Sequence, residues 1–299
     1  TKENNMSNVN DNSNDDVVLI DVYNIIYRAY HGNKNLLTNE KGIPTNALYT
    51  TIKMLEKIPD MFSNMRFCLA VFDGGSNNFR KELDPNYKIH RKPMPEELVV
   101  QMPYIKEAFR ILGWPMLFAK NEEADDIIGT LAKRSGNAGF NTYIISGDKD
   151  FRQLVNGRIN VIDTMHDICY DEDKVKEKMG VEPKLVVSYL ALLGDSSDNV
   201  MGVDGVGDKT AAKLLNEYGS MDSIRQNQDK IKGKVGENIR KAFENGQIEK
   251  SMQLITLKTD VELHLKNKDM KKQPRNDIEW VEFCKEMNFK SFLNKMPKM

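Results

Sequence analysis

The sequence predicts an α/β fold, with a mostly parallel twisted sheet, helices on both of its faces and a C-terminal helical region. The first observation is that short apolar runs rich in β-branched residues alternate with segments of helical periodicity, as in proteins with a parallel sheet. The second is that helical patterns dominate from about residue 180. Four runs are predicted to be strands, namely VVLI before Asp21, MRFCLAVF before Asp73, NTYIIS before Asp148, and RINVID at 158–163.

Helices are predicted where apolar residues recur at a spacing of three or four. The segment 46–57 shows this pattern between the first two strands, and the segments around 95–112 and 123–134 lie between the second and third. Pro95 lies near the first turn of its segment, a position that tolerates proline. The first 16 residues are rich in Asn and Asp, lack any apolar stretch and are predicted to be a disordered lead.

The composition is that of an ordinary globular protein. The chain has 299 residues, 40% hydrophobic and 29% charged, enough for one large domain or two small ones. Its net charge of −1 conceals basic segments such as 80–91, and local charge matters more than the total for attracting a polyanion. No apolar run reaches the ~18 residues that span a membrane. Three widely spaced cysteines predict a reducing compartment.

Acidic residues gather after apolar runs, and they carry the strongest functional signal. Asp21, Asp73 and Asp148 each follow a predicted strand. Ligands of parallel sheets bind outside the carboxyl ends of the strands, and this places the three acids on one rim. Other acids occur in close groups, which are Glu123 with Asp125 and Asp126, Asp148 with Asp150, and Asp195 with Asp198.

Carboxylates that converge repel one another and need a counter-charge. Two of them ~4 Å apart repel by roughly 4 kcal/mol at a surface-like effective dielectric. Oxygen ligands without nearby His or Cys favour Mg²⁺ or Mn²⁺ over Zn²⁺. Each group also has a simpler explanation. The acids at 123–126 suit a first helical turn, Gly147-Asp148 suits a turn, and 195–198 suits a loop at a helix end.

A glycine-rich stretch predicts a hairpin between two helices. Gly205 and Gly207 flank one apolar residue, and a helix is predicted to begin directly afterwards. Such a turn leaves backbone N–H groups free at a helix start, where they can bind a phosphate. Lys209 and Lys213, one turn apart, add positive charge and favour a grip on the DNA backbone without base reading. An ordinary helix hairpin is the alternative.

A basic segment, 79–92, follows Asp73 and contains FRKE and YKIHRK. Its position beside the acidic rim favours a role in phosphate handling, and a solvated surface loop is the alternative. We expect the segment to rise over the rim as an arch that admits a single strand. We also expect it to be mobile without a partner, because Gly74, Gly75 and the run SNN offer few apolar anchors.

Taken together and in their order along the chain, these motifs resemble those of the 5′-nuclease family. This family includes the N-terminal domain of bacterial DNA polymerase I and stand-alone phage and bacterial flap endonucleases. The resemblance runs from about Val17 to about Leu293 and is carried by VFDGGSNNFR, YKIHRKPMPEEL, EADDIIGTLA, IISGDKDFRQLV and LLGDSSDNVMGVDGVGDKTAAKLL. It implies a PIN-like 5′-nuclease domain over 17–180 with a helical arch at about 79–110. It also implies a helical DNA-binding region over 181–299 with a helix-hairpin-helix at about 195–225.

The resemblance implies two metal ions, Mg²⁺ or Mn²⁺. The acids implied for the first metal are Asp73, Glu123, Asp125 and Asp148, those for the second are Asp150, Asp195 and Asp198, and Asp21 and Asp126 act directly or through water. The implied catalytic residues are Lys88, Arg91 and Arg80, and the implied DNA contacts are Tyr87, Gly205, Gly207, Lys209, Thr210 and Lys213. A potassium ion on hairpin carbonyls is also implied.

The implied function is a metal-dependent 5′-3′ exodeoxyribonuclease and 5′-flap endonuclease. Its expected partner is DNA with 5′ flaps or free 5′ ends at junctions of duplex and single strand. We expect the protein to be a monomer and not to associate with a membrane. One alternative is a non-catalytic module that binds branched DNA, which the loss of a core acid would favour. The other is a related metal-dependent ribonuclease, against which the duplex-gripping hairpin argues.

The expected compartment is intracellular, reducing and DNA-containing. The chain begins at Thr1 rather than Met, so we expect that it was trimmed and that a targeting segment could have been removed. The Asn- and Lys-rich composition indicates an AT-rich genome. We therefore expect a bacterial cytoplasm or an organelle such as an apicoplast.

Overall fold

The computed structural model describes residues 15–33, 37–74 and 79–296, and these residues form one six-stranded sheet. The strands are β1 (Asp16–Asp21), β2 (Met65–Phe72), β3 (Met116–Phe118), β4 (Asn141–Ile145), β5 (Ile159–Asp163) and β6 (Ile168–Tyr170). Their order is β3-β2-β1-β4-β5-β6. All neighbours are parallel except the edge pair β5–β6. The prediction of a mostly parallel sheet is confirmed.

Helices connect the strands and make up most of the C-terminal half. They are α1 (Val22–Gly32), α2 (Asn46–Lys57), α3 (Phe79–Leu83), α4 (Glu96–Val99), α5 (Met102–Ile111), α6 (Ala124–Asn137), α7 (Glu172–Met179), α8 (Val186–Leu193), α9 (Asp208–Tyr218), α10 (Met221–Gln226), α11 (Gly233–Glu244), α12 (Gln247–Ile255), α13 (Asp277–Glu286) and α14 (Lys290–Leu293). Within the described ranges, none of them combines the length and apolar character that crossing a bilayer requires.

Several predicted boundaries differ from the structure. The helix predicted around 95–112 is divided into α4 and α5, and the predicted lead of 16 residues is too long. Asp16 already belongs to β1, because its N–H donates to the carbonyl of Asn64 at 2.9 Å. Residues 1–14 of that lead lie outside the described residues. The strands β3 and β6 were not predicted, since three residues are too few to show a period.

The sheet separates two apolar cores because successive side chains of a strand point to opposite faces. In β1, Val17 and Leu19 belong to one core, and Val18 and Ile20 belong to the other. The first core contains α6 and the helices α7–α12. The second core contains α1, α2, α5, α13 and α14. Helices on both faces of the sheet are thereby confirmed.

The C-terminal helices do not all lie on one face. The helices α8–α12 complete the first core, whereas α13 and α14 complete the second. Trp280 of α13 is fully buried, and its ring centroid lies 5.7 Å from that of Phe292 in α14. The region predicted as one helical unit over 181–299 therefore reaches both faces of the sheet.

Candidate active site

Acids from three strands lie at the carboxyl edge of the sheet. Asp21 ends β1 and caps α1, Asp73 follows β2, and Asp148 follows β4. The Oδ2 of Asp21 accepts a hydrogen bond from the hydroxyl of Ser146 at 2.8 Å, and its Oδ1 accepts one from the N–H of Asn24 at 3.3 Å. Burial, followed by repulsion from Asp148 and Asp73, raises the pKa of Asp21 to about 6. The predicted rim of acids is present.

Two acids at the start of α6 join this rim. Burial, and then the charges of Asp21 and Asp148, raise the pKa of Asp125 well above its usual value. Glu123 precedes α6 but makes no capping hydrogen bond with its side chain, so capping does not explain it. Its Oε1 instead accepts a hydrogen bond from Nζ of Lys88 at 3.0 Å.

Asp150 carries the clearest sign of a missing partner. The turn explanation accounts for Asp148, whose Oδ1 accepts a hydrogen bond from the N–H of Asp150 at 2.9 Å. Asp150 itself has a buried Oδ1 without a hydrogen-bond partner among the described residues. Burial, and then the charges of Asp148 and Asp198, raise the pKa of Asp150 well above its usual value. A buried unbonded carboxylate oxygen is costly unless a cation or donor satisfies it.

The loop after α8 brings Asp195 to the same place. Its Oδ1 accepts hydrogen bonds from the N–H and hydroxyl of Ser197 at 2.8 and 2.6 Å. Its Oδ2 lies 3.0 Å from Nζ of Lys149. Burial favours the neutral acid, but Ser197 and Lys149 outweigh burial and lower the pKa of Asp195. The explanation as a helix-end loop is thus partly correct, and the loop also faces the 148–150 turn.

Three residues of the basic segment converge on Asp198. The hydroxyl of Tyr87 donates to Oδ2 of Asp198 at 3.1 Å, and Nζ of Lys88 lies 3.6 Å from the same oxygen. The Nη2 of Arg91 lies 3.7 Å from Oδ1 of Asp198. Burial opposes the charged ammonium, but Glu123 and Asp198 outweigh it and raise the pKa of Lys88. The proposed phosphate-handling groups therefore lie among the acids.

The chemistry of the acid rim fits a divalent metal ion. Among the described residues, no three His, Cys, Asp or Glu side chains already surround one cation position. Lys88, Arg91 and Lys149 instead supply positive charge to the rim. Raised pKa values at Asp125 and Asp150 indicate that this charge is not enough. All-oxygen donors, unrelieved repulsion and an unbonded carboxylate oxygen fit a hard divalent cation.

Arg80 and Asp126 lie elsewhere than predicted. Arg80 is 1% exposed, and its five N–H groups all donate, so none faces a passage for DNA. The acceptors are the Leu254 carbonyl at 2.7 Å, Glu123 at 2.9 Å, both Asp126 oxygens at 2.7 and 2.8 Å, and the Thr256 carbonyl at 3.0 Å. Asp126 is fully buried, and its carboxylate oxygens are taken by this pair. The two residues form an internal ion pair, which corrects their assignment to catalysis and metal binding.

The basic segment crosses the carboxyl edge of the sheet. Tyr87 is buried in the first core and Leu98 in the second, so residues 88–97, here called the crossing segment, pass from one face to the other. The 79–111 stretch comprises α3, α4 and α5 with turns between them. Its base is anchored through Arg80 and Tyr87, and the expected mobility of the segment without a partner stays a prediction. Residues 75–78, on which that expectation partly depended, lie outside the described residues.

The glycine-rich stretch forms the turn between α8 and α9. Gly205 has φ +78°, a left-handed value that favours glycine, and Gly207 precedes α9 without a side-chain cap. Gly205, Gly207, Lys209 and Lys213 are exposed, as are the acids Asp204 and Asp208, and Thr210 is half-buried. The N–H groups at the start of α9 are therefore open for an anion. The first helix of the hairpin, α8, lies before the predicted start at 195.

The sequence interpretation missed two residues that support the acids. Ser146 bonds Asp21, and Lys149 pairs with Asp195. Both belong to the same motif, IISGDKD, as the acids at 148 and 150. A hydroxyl directly after a strand and a lysine between two acids are signals that could have identified them.

Comparison with known proteins identifies the family of this chain. The family model for the N-terminal resolvase-like domain of 5′-3′ exonucleases matches residues 16–180. The model for their C-terminal SAM fold matches residues 181–277. The chain belongs to the 5′-3′ exonuclease family. The resemblance carried by the sequence motifs is confirmed.

The relatives of this 5′-3′ exonuclease family member differ in length. The 5′-3′ exonuclease of Aquifex aeolicus is 34% identical over 281 residues, which cover 94% of this chain and 95% of that protein. DNA polymerase I of Bacillus caldotenax is 39% identical over 285 residues, which cover 94% of this chain and 32% of the polymerase. The chain thus spans about a third of the length of that polymerase relative.

Solved structures share the fold of this family member. The 5′-exonuclease of T5 with bound zinc aligns with a TM-score of 0.65 at 24% identity, covering 80% of this chain and 89% of that one. The flap endonuclease of bacteriophage T5, in a pseudo-enzyme–product complex with DNA and metal ions, gives a TM-score of 0.66 at 22% identity. That alignment covers 80% of this chain and 88% of the T5 chain.

Proposed function

We propose that this chain hydrolyses phosphodiester bonds of branched DNA as a 5′-3′ exonuclease and 5′-flap endonuclease that depends on divalent cations. One observation carries the proposal, namely the convergence of buried acids from β1, α6 and two loops at the carboxyl edge of the sheet. Raised pKa values mark this group, and such values concentrate at functional sites. The metal ions in the T5 structures support the same chemistry.

Two Mg²⁺ or Mn²⁺ ions, when bound, supply an activated water and stabilise the leaving oxygen. The residues that would hold one ion are Asp73, Glu123, Asp125 and Asp148, and Asp21 lies beside this group. Those that would hold the other are Asp150, Asp195 and Asp198. Ser146 and Lys149 orient Asp21 and Asp195. The unbonded Oδ1 of Asp150 is the oxygen with most to gain from a cation.

Lys88 and Arg91 act on the phosphate. Both lie at the acid rim, at 3.0 Å from Glu123 and 3.7 Å from Asp198 respectively. A phosphate at the rim would compete with these acids for the two basic groups, which would offset the negative charge that develops on it. Tyr87, whose ring is buried, fixes the start of the segment that carries them.

Duplex DNA binds at the hairpin between α8 and α9. The uncapped start of α9 and the exposed Lys209 and Lys213 suit backbone phosphates, which carry no sequence information. Gly205, Gly207 and Thr210 complete this contact, and a potassium ion on nearby carbonyls is part of the proposal. The T5 flap endonuclease structure contains DNA, which supports DNA as the ligand. The substrate is DNA with a 5′ flap or free 5′ end, and the protein acts as a monomer.

The free thiols suit the reducing, DNA-containing compartment proposed from the sequence, in a bacterial cytoplasm or an organelle such as an apicoplast. Cys68 and Cys284 are buried, and Cys169 is exposed. Within the described residues, all three are unpaired. An exposed thiol persists most readily where the surroundings are reducing.

The test is cleavage of a duplex that carries a labelled 5′ flap, with Mg²⁺ or with EDTA. We expect Mg²⁺-dependent products cut at the junction, and shorter products from the free 5′ end. Parallel substrates with an RNA flap or an RNA template strand distinguish a ribonuclease. Tight binding without any product in Mg²⁺ or Mn²⁺ would instead favour the non-catalytic branched-DNA module.

A further inference from the structure

The buried guanidinium of Arg80 joins three parts of the molecule. It lies on α3, at the base of the crossing segment, and bonds Glu123 and Asp126 of the α6 start. It also bonds the carbonyls of Leu254 and Thr256, at the end of α12 and just after it. The orientation of Glu123 on the acid rim is therefore fixed relative to α12.

The other end of α12 holds the hairpin. The side-chain amide of Gln247 donates to the carbonyl of Gly202 at 2.6 Å, and the hydroxyl of Ser251 donates to the carbonyl of Met201 at 2.8 Å. Both carbonyls belong to the turn between α8 and α9. One helix thus has the duplex-binding turn at its start and the partner of a rim acid at its end. A helix of nine residues is a rigid spacer.

We propose that Arg80 is a positioning residue that sets Glu123 at a fixed distance from the hairpin through α12, so that the grip on duplex DNA determines which bond is cut. This inference rests on the proposed nuclease function. Arg80 touches neither DNA nor cation in this role. It acts through the carboxylate of Glu123.

The chemistry of the contact requires arginine. Five acceptors surround one planar group, and the two oxygens of Asp126 receive parallel N–H donors. Lysine has three donors on a single nitrogen and cannot reproduce this fork. Arg80→Lys would keep the positive charge and leave several acceptors without partners. The substitution therefore distinguishes the effect of the hydrogen-bonding geometry at residue 80 from the effect of its positive charge.

The chain offers a matched control in Arg134. It lies on α6, the helix whose start Arg80 contacts, and donates to the segment after α12, at the carbonyl of Val261, 2.6 Å away. It lies at the opposite end of α6 from Glu123. Arg134→Lys therefore weakens a contact between α6 and the segment after α12 without touching the rim.

The experiment measures Mn²⁺ affinity by calorimetry without DNA, and the distribution of cut positions on a flap duplex. Each variant is first checked for folding by circular dichroism. We expect Arg80→Lys to weaken Mn²⁺ binding at least tenfold and to spread cleavage over neighbouring bonds. Arg134→Lys should stay within twofold of wild type and cut at the wild-type position. Gln247→Ala, at the hairpin end, should spread the cuts while leaving Mn²⁺ affinity unchanged.

Two outcomes would overturn the inference. One is wild-type Mn²⁺ affinity and cut position in folded Arg80→Lys, and the other is an equal loss in Arg134→Lys. If Arg80→Lys does not fold, Arg80→Met combined with Asp126→Asn removes both charges of the pair together and is measured in the same way. Wild-type protein that neither binds Mn²⁺ nor cuts DNA would refute the proposed function itself, which keeps the two failures distinct.

Discussion

The backbone N–H of Lys88 donates to the backbone carbonyl of Asp198 at 3.0 Å, which fixes the start of the crossing segment to the loop after α8. Lys88 has φ +56°, an uncommon value for a residue other than glycine. Its side chain bonds Glu123 at 3.0 Å. Lys88 therefore links two sources of rim acids through its backbone and its side chain. Backbone strain of this kind concentrates at functional sites.

The crossing segment predicts an order-of-addition effect. Because it passes over the acid rim from one core to the other, a flap should enter beneath it by its free 5′ end. A streptavidin block on that end should strongly slow cleavage if it is attached before enzyme is added. The same block added after complex formation in Ca²⁺ should have little effect once Mg²⁺ starts the reaction. Equal rates in the two orders would show that the segment clamps rather than encloses the strand.

Removing a rim acid should cost catalysis more than binding. For Asp150→Ala and Asp198→Ala we expect less than a tenth of the wild-type cleavage rate at saturating Mg²⁺, a barrier increase above ~1.4 kcal/mol. DNA affinity in Ca²⁺ should persist. Asp173→Ala, at an exposed acid of α7, serves as the control. A cleavage rate above a tenth of the wild-type rate in either rim variant would argue that the substituted acid is not a direct metal ligand.

The lysines at the hairpin should contact phosphates without sequence preference. Lys209→Ala with Lys213→Ala should weaken binding to all duplexes alike and reduce the slope of log affinity against log salt by roughly 1–2 units. Lys53→Ala with Lys57→Ala provides the control, since these exposed lysines are also one turn apart but lie on α2. An unchanged slope in the hairpin variant would show that the hairpin does not contact the DNA backbone.

Gly207 should be needed for binding but not for folding. A Cβ built there meets no atom within 4 Å, and the φ of Gly207 is −101°. Gly207→Ala should therefore change the free energy of unfolding by less than ~0.5 kcal/mol. The added methyl group should obstruct a phosphate at the start of α9 and weaken duplex affinity about tenfold, or ~1.4 kcal/mol. Gly157→Ala, at an equally open position, should change neither quantity.

The raised pKa of Asp21 predicts that the stability of the metal-free protein in EDTA depends on pH. Its pKa is raised from 3.8 to about 6 by burial, and then by Asp148 and Asp73. Between these values the folded protein holds a proton that the unfolded chain has released, so its free energy of unfolding falls as pH rises. The free energy of unfolding of Asp21→Asn should exceed that of wild type by roughly 3 kcal/mol at pH 8 and match it near pH 4. Urea titrations at each pH measure this, and an advantage that grows on acidification would contradict it.

The sequence predicted local features better than distant pairings. The acids after β1, β2 and β4 were predictable, because apolar runs identify strands and parallel strands end at one edge. The role of Arg80 was not, since its Leu254 and Thr256 acceptors lie 174 and 176 residues away in the chain. Nothing in the local pattern at 123–126 distinguishes Asp125, on the rim, from Asp126, turned into the interior. The distinction depends on the packing of α12 against α3 and on the segment after α12, where the N–H of Lys258 donates to Oδ1 of Asp126.

The division of the C-terminal helices between two faces has a consequence for synthesis on the ribosome. The nascent chain presents α1, α2 and α5 long before α13 and α14 have been translated. The apolar surface that Trp280 and Phe292 cover therefore stays open until α13 and α14 have been translated. Such surface promotes aggregation during folding. The sheet can assemble early, but its second face remains open until α13 and α14 leave the exit tunnel, and chaperones have their longest access to that face.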